Sequence, residues 1–339
     1  KPSQIIWCRA IVTAVFKKGM KSSPDNYRPV SLTSVISKIM ESIIRDRTLE
    51  HLMKHNLLAD PQHGFVPARD CMSQLLLCLD EWTPMIENNQ AFDVIYTDFA
   101  KAFDSVAHQR LLVKLQNHGI ECDILNWISS FLCNREQSVR VNQEYSTWTK
   151  VLSGIPQGSV LGPLLFVIFI NDMPEEGKFN VCKLFADDCK LYGQVTTSGT
   201  NTFQKDLNNL ETWSKKWQLP FNVKKCKVMH IGRKNPNHEY LMNDHKLEVS
   251  ESEKDLGVHI DNQLKFHIHT AAAIKKATQI LGLIKKTYKT WDADTISLLY
   301  KSLVRPHLEY GNLIWGPSFM EDKKSIEKVQ RRATKIVSG

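Results

Sequence analysis

Two acidic clusters, each set directly behind an apolar run with strand character, constrain this chain more than any other feature. The first is Asp98, at the end of Phe92-Asp-Val-Ile-Tyr-Thr-Asp98. The second is the pair Asp187-Asp188 within Cys182-Lys-Leu-Phe-Ala-Asp-Asp-Cys-Lys-Leu-Tyr192. A strand over 92–98 and a hairpin over 181–192 would carry carboxylates roughly 90 residues apart in sequence to one sheet edge. Acids crowded in this way repel one another unless cations neutralise them. Oxygen ligands of this kind suit a pair of Mg2+ ions and in-line phosphoryl or nucleotidyl transfer. Asp-Asp is also an ordinary turn for conformational reasons, and it is the apolar flanks that give the functional reading its weight.

The rest of the chain reads as an ordered globular protein of 339 residues, 42% hydrophobic, large enough for two or three packed units. Its longest apolar run, Leu161 to Ile170, is too short to cross a membrane and is interrupted by Gly162 and Pro163. The eight cysteines form no C-x-x-C pair, so free thiols in a reducing compartment are expected. The chain begins with Lys1 and has no signal-peptide pattern, which suggests a piece of a longer protein. Of the net charge of +8, nearly all arises between residues 271 and 339, where thirteen Lys or Arg face six Asp or Glu. A phosphate backbone is one partner for such a surface, and a solvated helical face is the alternative.

Along the chain, the pattern predicts a strand at 12–16 and a loop at 23–29. A helix follows with Ile36, Ile39, Met40, Ile43 and Ile44 on its apolar face and Lys38, Glu41 and Arg45 elsewhere. Further helices are predicted from about 71 to 87, 106 to 115, 161 to 171 and 202 to 217. Paired strands are expected at 139–141 and 148–152, and strands at 227–231 and 256–260 are expected to close the sheet. From His269 onward the pattern is helical.

Phe103 lies five residues beyond Asp98, in a loop placed to curl beside a metal-bound triphosphate. A bulky aromatic there would collide with a ribose 2′-hydroxyl and select deoxynucleotides; the other reading is a core Phe opening the next helix. Ser153-Gly-Ile-Pro-Gln-Gly-Ser159 precedes a buried helix and, taken alone, is an ordinary loop. Trp213, Trp217, Trp291 and Trp315 could stack on bases, but each sits in an apolar pattern that favours core packing.

With these residues in view, the chain resembles reverse transcriptases. Asp98 and Asp187-Asp188 resemble motifs A and C, Ser153 to Pro163 resembles motif B, and Asn222-Val-Lys-Lys225 resembles motif D. Asn26 to Leu32 and Gln62 to Arg69 are similar to the finger motifs. In detail, including Leu303-Val-Arg-Pro-His-Leu-Glu-Tyr310, the chain is similar to the jockey and CR1 group of non-LTR (LINE-type) retrotransposons. Motif C here reads Phe185-Ala-Asp-Asp where Tyr-Ala-Asp-Asp is commoner, a swap that removes one hydroxyl and leaves the metal ligands in place.

The resemblance implies an α/β (α+β) right-hand polymerase fold: fingers at 1–90, an antiparallel palm at 91–262 with a fingers insertion at about 110–150, and a basic helical thumb at 263–339. It implies an RNA-directed DNA polymerase extending a DNA primer on an RNA template with deoxynucleoside triphosphates and two Mg2+ ions, with Mn2+ as a substitute. The alternatives are an inactive transposon-derived nucleic-acid-binding protein and a viral RNA-copying polymerase, the second disfavoured by Phe103. Asp98, Asp187 and the Phe99 carbonyl would hold metal, Asp188 would support them, and Lys225 would protonate pyrophosphate. Arg28, Lys38 and Arg69 would meet the triphosphate, and Gln157 and Gly158 the nascent base pair. Leu256-Gly257-Val258 would grip the primer, and Lys275, Lys276, Lys285, Lys286, Arg331 and Arg332 would hold the nucleic-acid backbone. Family members commonly carry an endonuclease domain, which nothing in this stretch resembles. Action inside the cell, in nucleus and cytoplasm, is expected.

Overall fold

The computed structural model describes residues 8–196, 202–288 and 292–337. The first unit pairs strand β1 (Arg9–Phe16) antiparallel with β2 (Tyr27–Leu32). Part of the predicted loop at 23–29 is therefore strand. Ladder bonds to β1 hold Arg28 extended, and Pro29 is tolerated because β2 is an edge strand.

Helix α1 (Val35–Lys54) follows, and its buried face is rotated from the one predicted, keeping Ile44 and part of Met40. Ile36, Ile39 and Ile43 are exposed, whereas Ser37, Glu41, Ile44, Thr48 and Leu52 are buried. Glu41 explains the rotation. Its carboxylate accepts from Ser37 Oγ at 3.1 Å and from the backbone N–H groups of Val160 (2.7 Å) and Leu161 (3.2 Å). These are free donors at the start of a helix, which favour a carboxylate.

Helix α2 (Cys71–Glu87) starts from a capping box in which Asp70 and Ser73 satisfy each other's backbone N–H groups. Then come β3 (Phe92–Thr97), α3 (His108–Asn117), α4 (Cys122–Leu132), β4 (Glu136–Val141), β5 (Glu144–Tyr145) and β6 (Thr149–Lys150). Strand β4 runs parallel to β1 and carries β5 and β6, so residues 136–150 return to the first sheet. Helix α5 (Gly162–Ile170) is buried along almost its whole length. Strands β7 (Val181–Phe185) and β8 (Asp188–Gln194) form the acidic hairpin, and α6 (Thr202–Trp217) and β9 (Lys227–Ile231) lie where the pattern put them.

The central sheet has the order β12-β9-β3-β8-β7, where β12 is Glu248–Val249, preceded by the small hairpin β10 (Leu241–Met242) and β11 (His245–Lys246). Strand β3 is central and covered on both faces, which is why it reads as a nearly continuous apolar run. On one face pack α3, α5 and α6 around Ile95, Leu165, Phe169 and Leu191. On the other lie Leu75 and Trp82 of α2 against Val94, Tyr192 and Met229.

The predicted strand at 256–260 does not close this sheet. Instead, β13 (Ser252–Asp255) and β14 (Val258–Asp261) make a separate hairpin, with Val258 and Ile260 packed against the second face. Beyond it are α7 (His267–Thr287), α8 (Ala293–Leu299), a π-helical turn at 300–304, α9 (Arg305–Glu309), α10 (Asn312–Trp315) and α11 (Met320–Val337). Their own core joins Ala277, Leu281, Val304, Leu308, Val329 and Ala333. Trp213, Trp217 and Trp315 are core residues, and Trp291 lies outside the described residues. No helix among the described residues is long and apolar enough to cross a membrane.

Candidate active site

Register alone brings the acids together. Strand β3 pairs with β8 as far as Thr97 opposite Cys189; Asp98 and Asp188 adjoin that last pair, near enough for the Asp98 charge to act on both Asp187 and Asp188. The Phe185–Asp188 pairing leaves Ala186 and Asp187 as the two tip residues of the hairpin. Ala186 takes φ +53°, an unfavourable conformation for a residue with a Cβ.

Neighbouring residues hold that strain. The Gln62 side-chain oxygen accepts from Ala186 N (2.9 Å) and Gly64 N (2.7 Å), while residues 61–63 bond to Leu184 as a short parallel strand. Gly64 lies so close that a Cβ there would fall 2.2 Å from Ala186 N, so only glycine fits. Gln74 of α2 donates to the Leu184 carbonyl at 2.7 Å. The sequence pattern marked Gln62-His-Gly-Phe65 as a finger motif but gave no sign that Gln62 fixes the Ala186-Asp187 tip, because that contact spans 124 residues.

The electrostatics are those of an under-compensated acidic site. Burial, then the Asp98 charge, raises Asp187 above the usual carboxylate range, and Arg28 and Lys17 oppose the rise. Lys17, not singled out from sequence, is therefore a second cation facing this tip. Partial burial, then the charges of Asp187, Asp255 and Asp98, pushes Asp188 up to about 6. Lys225 Nζ stands 2.7 Å from Asp98 Oδ2, supplying the one direct counter-charge to these three acids among the described residues.

Among the described residues, no three or more His, Cys, Asp or Glu side chains group closely enough to hold an ion unaided. The donor chemistry still fits a hard divalent cation. Mg2+ is commonly held by one or two carboxylates, with substrate phosphates and water completing its shell. Asn222 N–H bonds to the Asp98 carbonyl (2.7 Å) and Ala100 N–H to the Pro220 carbonyl (2.8 Å), bracketing the bridge between Phe99 and Phe221. In such a non-hydrogen-bonded pair the Phe99 carbonyl turns away from Phe221.

The predicted substrate residues fall into distinct groups. Phe103 is half-buried and stacks on Phe166 (centroids 4.6 Å apart). The Ile155 N–H bonds to its carbonyl at 2.8 Å, so the loop at 153–159 docks onto the loop carrying Phe103. Gln157 donates to Asp104 Oδ1 at 2.9 Å, and its carbonyl accepts from Ser31 N at 2.7 Å. Gly158, at φ +105°, lies against the Ser31 carbonyl, which a Cβ would approach to 2.8 Å.

Arg28 is exposed on β2 and Lys38 half-buried on α1. The Arg69 guanidinium is bound within its own loop, to the Asp60 and Gln62 carbonyls (2.6 and 2.8 Å) and the Asp60 carboxylate (3.2 Å). Leu256 and Gly257 form the tip of the β13–β14 hairpin, and Val258 is buried beneath it. Lys275, Lys276, Lys285, Lys286, Arg331 and Arg332 are all exposed on α7 and α11, with Arg331 paired to Glu327 at 3.2 Å.

Residues 15–284 match the family model described as reverse transcriptase (RNA-dependent DNA polymerase). Over 98% of its length the chain is 26% identical to the probable RNA-directed DNA polymerase from transposon X-element of Drosophila melanogaster. It is also 26% identical, over 98% of its length, to the RNA-directed DNA polymerase from mobile element jockey of the same species. It spans 38% of the length of each of these relatives. Among solved structures it is similar to telomerase from Candida tropicalis (TM-score 0.56, 13% identity, 97% of this chain and 58% of that one). Telomerase from Candida albicans in complex with a fragment of telomeric RNA is likewise similar (TM-score 0.55, 11% identity, 100% and 65%). At such identities these two likenesses bear on the fold, which is that of a right-hand polymerase. Taken with the family match over most of its length, they leave one assignment: the chain belongs to the reverse transcriptase (RNA-dependent DNA polymerase) family.

Proposed function

We propose that this chain is the polymerase portion of a non-LTR retrotransposon protein, an RNA-directed DNA polymerase that extends a DNA 3′-end on an RNA template. The observation that carries the reading is the β3–β8 register, which sets Asp98 beside the Asp187-Asp188 hairpin, with Lys225 on Asp98. Fingers at 1–90 with an insertion from about 110–150, palm at 91–262 and thumb at 263–339 go with it. The sharing of one sheet by β1, β2 and β4 supports that division.

Asp98, Asp187 and the Phe99 carbonyl are the residues that would hold two Mg2+ ions. Bound there, the ions supply activation of the primer 3′-hydroxyl and neutralisation of the triphosphate and departing pyrophosphate. Asp188 keeps the local potential negative. Lys225, paired with Asp98, holds a proton at Nζ for the pyrophosphate oxygen. Arg28 and Lys17 draw the triphosphate toward the Asp187 tip. Lys38 and Arg69 complete the cationic side of the fingers, with Arg69 holding the loop that braces the tip. Gln157, oriented by Asp104, faces the incoming base pair beside Gly158. Phe103, backed by Phe166, bars a ribose 2′-hydroxyl. The exposed basic residues of α7 and α11 follow the phosphate backbone.

The test is primer extension on poly(rA)/oligo(dT) with Mg2+, comparing the chain with Asp187→Asn and Phe103→Val. Expected are extension by the parent, none by Asp187→Asn, and ribonucleotide incorporation by Phe103→Val. Template binding without extension by either the parent or Asp187→Asn would instead identify an inactive nucleic-acid-binding relic.

A further inference from the structure

The hairpin β13–β14 ends in a tip whose two residues both need unusual backbone. Asp255 pairs with Val258, leaving Leu256 (φ +45°) and Gly257 (φ +93°) as the two-residue connection of a tight turn. Two other parts of the molecule hold this tip. From the sheet, Lys190 makes a buried ion pair with Asp255. Lys190 is two residues beyond Asp188 on β8, so it lies on the same face of that strand. From the helical region, Tyr310 at the end of α9 donates its hydroxyl hydrogen to the Leu256 carbonyl at 2.7 Å.

The Tyr310 ring covers Gly257, where a Cβ would stand 2.7 Å from a ring carbon. Its hydroxyl also meets the Cys71 side chain, at the start of α2. Its own carbonyl accepts from Trp315 Nε1 at 2.7 Å, and Trp315 is buried. Tyr310 thus bonds at its side chain to the hairpin tip and at its backbone to Trp315, which packs with Leu75, Trp82 and Val258 and stands against His269 of α7 (ring centroids 4.7 Å apart).

Bulk stability does not account for this arrangement. The residue is 46% exposed, and a carbonyl at a surface tip could be satisfied by water. A protein donor there instead fixes where the tip lies relative to the helices. We propose that Tyr310 is a positioning residue that sets the height of the Leu256-Gly257 tip and ties it to the helices carrying Lys275, Lys276, Arg331 and Arg332, so that tip and helices engage a primer–template duplex as one surface. The identity of the ligand rests on the polymerase reading above.

The test uses the full chain with Tyr310→Phe, Tyr310→Ala, Gly257→Ala and the double variant Tyr310→Ala/Gly257→Ala. KM for duplex and kcat are measured in primer extension. Duplex affinity is measured separately by fluorescence anisotropy of a labelled RNA–DNA duplex with each change placed on Asp187→Asn protein. Tyr310→Phe is expected to raise KM about 3- to 10-fold, the range of one lost hydrogen bond, and Tyr310→Ala more, with kcat far less affected. Thermal midpoints should move by less than about 3 °C. Gly257→Ala should weaken binding strongly beside the ring and markedly less once Tyr310 is alanine, a coupling that a general loss of stability would not give.

An unchanged duplex KM in Tyr310→Ala, or a loss confined to kcat and the folded fraction, overturns the assignment. If no protein in the set extends a primer, the polymerase reading fails on its own. The anisotropy series still decides the role of Tyr310: weakened binding supports it, and unchanged binding overturns it.

Discussion

Strand β3 carries an aspartate near each end, and the two are treated in opposite ways. Asp93 is fully buried and surrounded by donors: His230 Nδ1 at 2.7 Å and Asn235 Nδ2 at 2.8 Å on one oxygen, and the Tyr240 hydroxyl at 2.5 Å on the other. Asp98 is partly open, faces two further acids, and has Lys225 as its direct counter-charge. A buried carboxylate with three donors is a finished structural element. Acids left to repel one another at a sheet edge cost stability and persist where a ligand removes the repulsion. The two aspartates differ in burial as well as in partners, and it is the balance of partners that marks Asp98 as open to a ligand.

Exchanging the two aspartates for asparagine breaks the comparison most sharply. Asp98→Asn should lower primer extension by more than about a thousandfold, since several kcal/mol of charge stabilisation are lost, while the denaturant midpoint hardly moves. Asp93→Asn should do the converse: unfolding free energy falls by about 2 to 4 kcal/mol, because at least one of its donors loses its acceptor in the core. The protein that remains folded keeps its kcat.

Lys225→Met sharpens the account of the open end. A drop in kcat of about a hundredfold with little change in nucleotide KM is expected, together with a changed pH profile as the proton donor is lost. An unchanged kcat would reduce Lys225 to an ion-pair partner of Asp98.

A smaller effect concerns Asp188, whose carboxyl is raised from 3.8 to about 6 in the fold. Between those values the folded state binds more protons than the unfolded state, so the metal-free protein loses stability as pH rises from about 4 through 6. Asp188→Asn should flatten that slope in pH-dependent urea denaturation. Because the side chain still meets solvent, the variant should be only about 1 kcal/mol more stable at pH 7 without metal.

Much of this was legible in the sequence. The apolar runs before Asp98 and around Asp187 mark strands of one sheet, and the stripe on α6 is plain from its spacing. The side of α1 that is buried was not legible. Ser37, Glu41, Ile44, Thr48 and Leu52 recur with as good a helical period as Ile36, Ile39 and Ile43. What decides between the stripes is the pair of backbone donors at Val160 and Leu161, about 120 residues away.

The separate hairpin β13–β14 was hidden for a similar reason. Val258 and Ile260 show that this strand packs on the sheet, but alternation carries no information on whether it pairs edge to edge or lies across a face. The Gln62 clamp on Ala186 and the Tyr310 bond to Leu256 are likewise products of tertiary approach, invisible to local pattern.

The central claim is that Asp98 and Asp187 form one cation site. Mn2+ binding followed by electron paramagnetic resonance, with primer–template and a non-hydrolysable deoxynucleotide present, tests it most directly. The account predicts about two tightly held ions per chain, both lost in Asp98→Asn/Asp187→Asn. Equal binding by parent and double variant would contradict it.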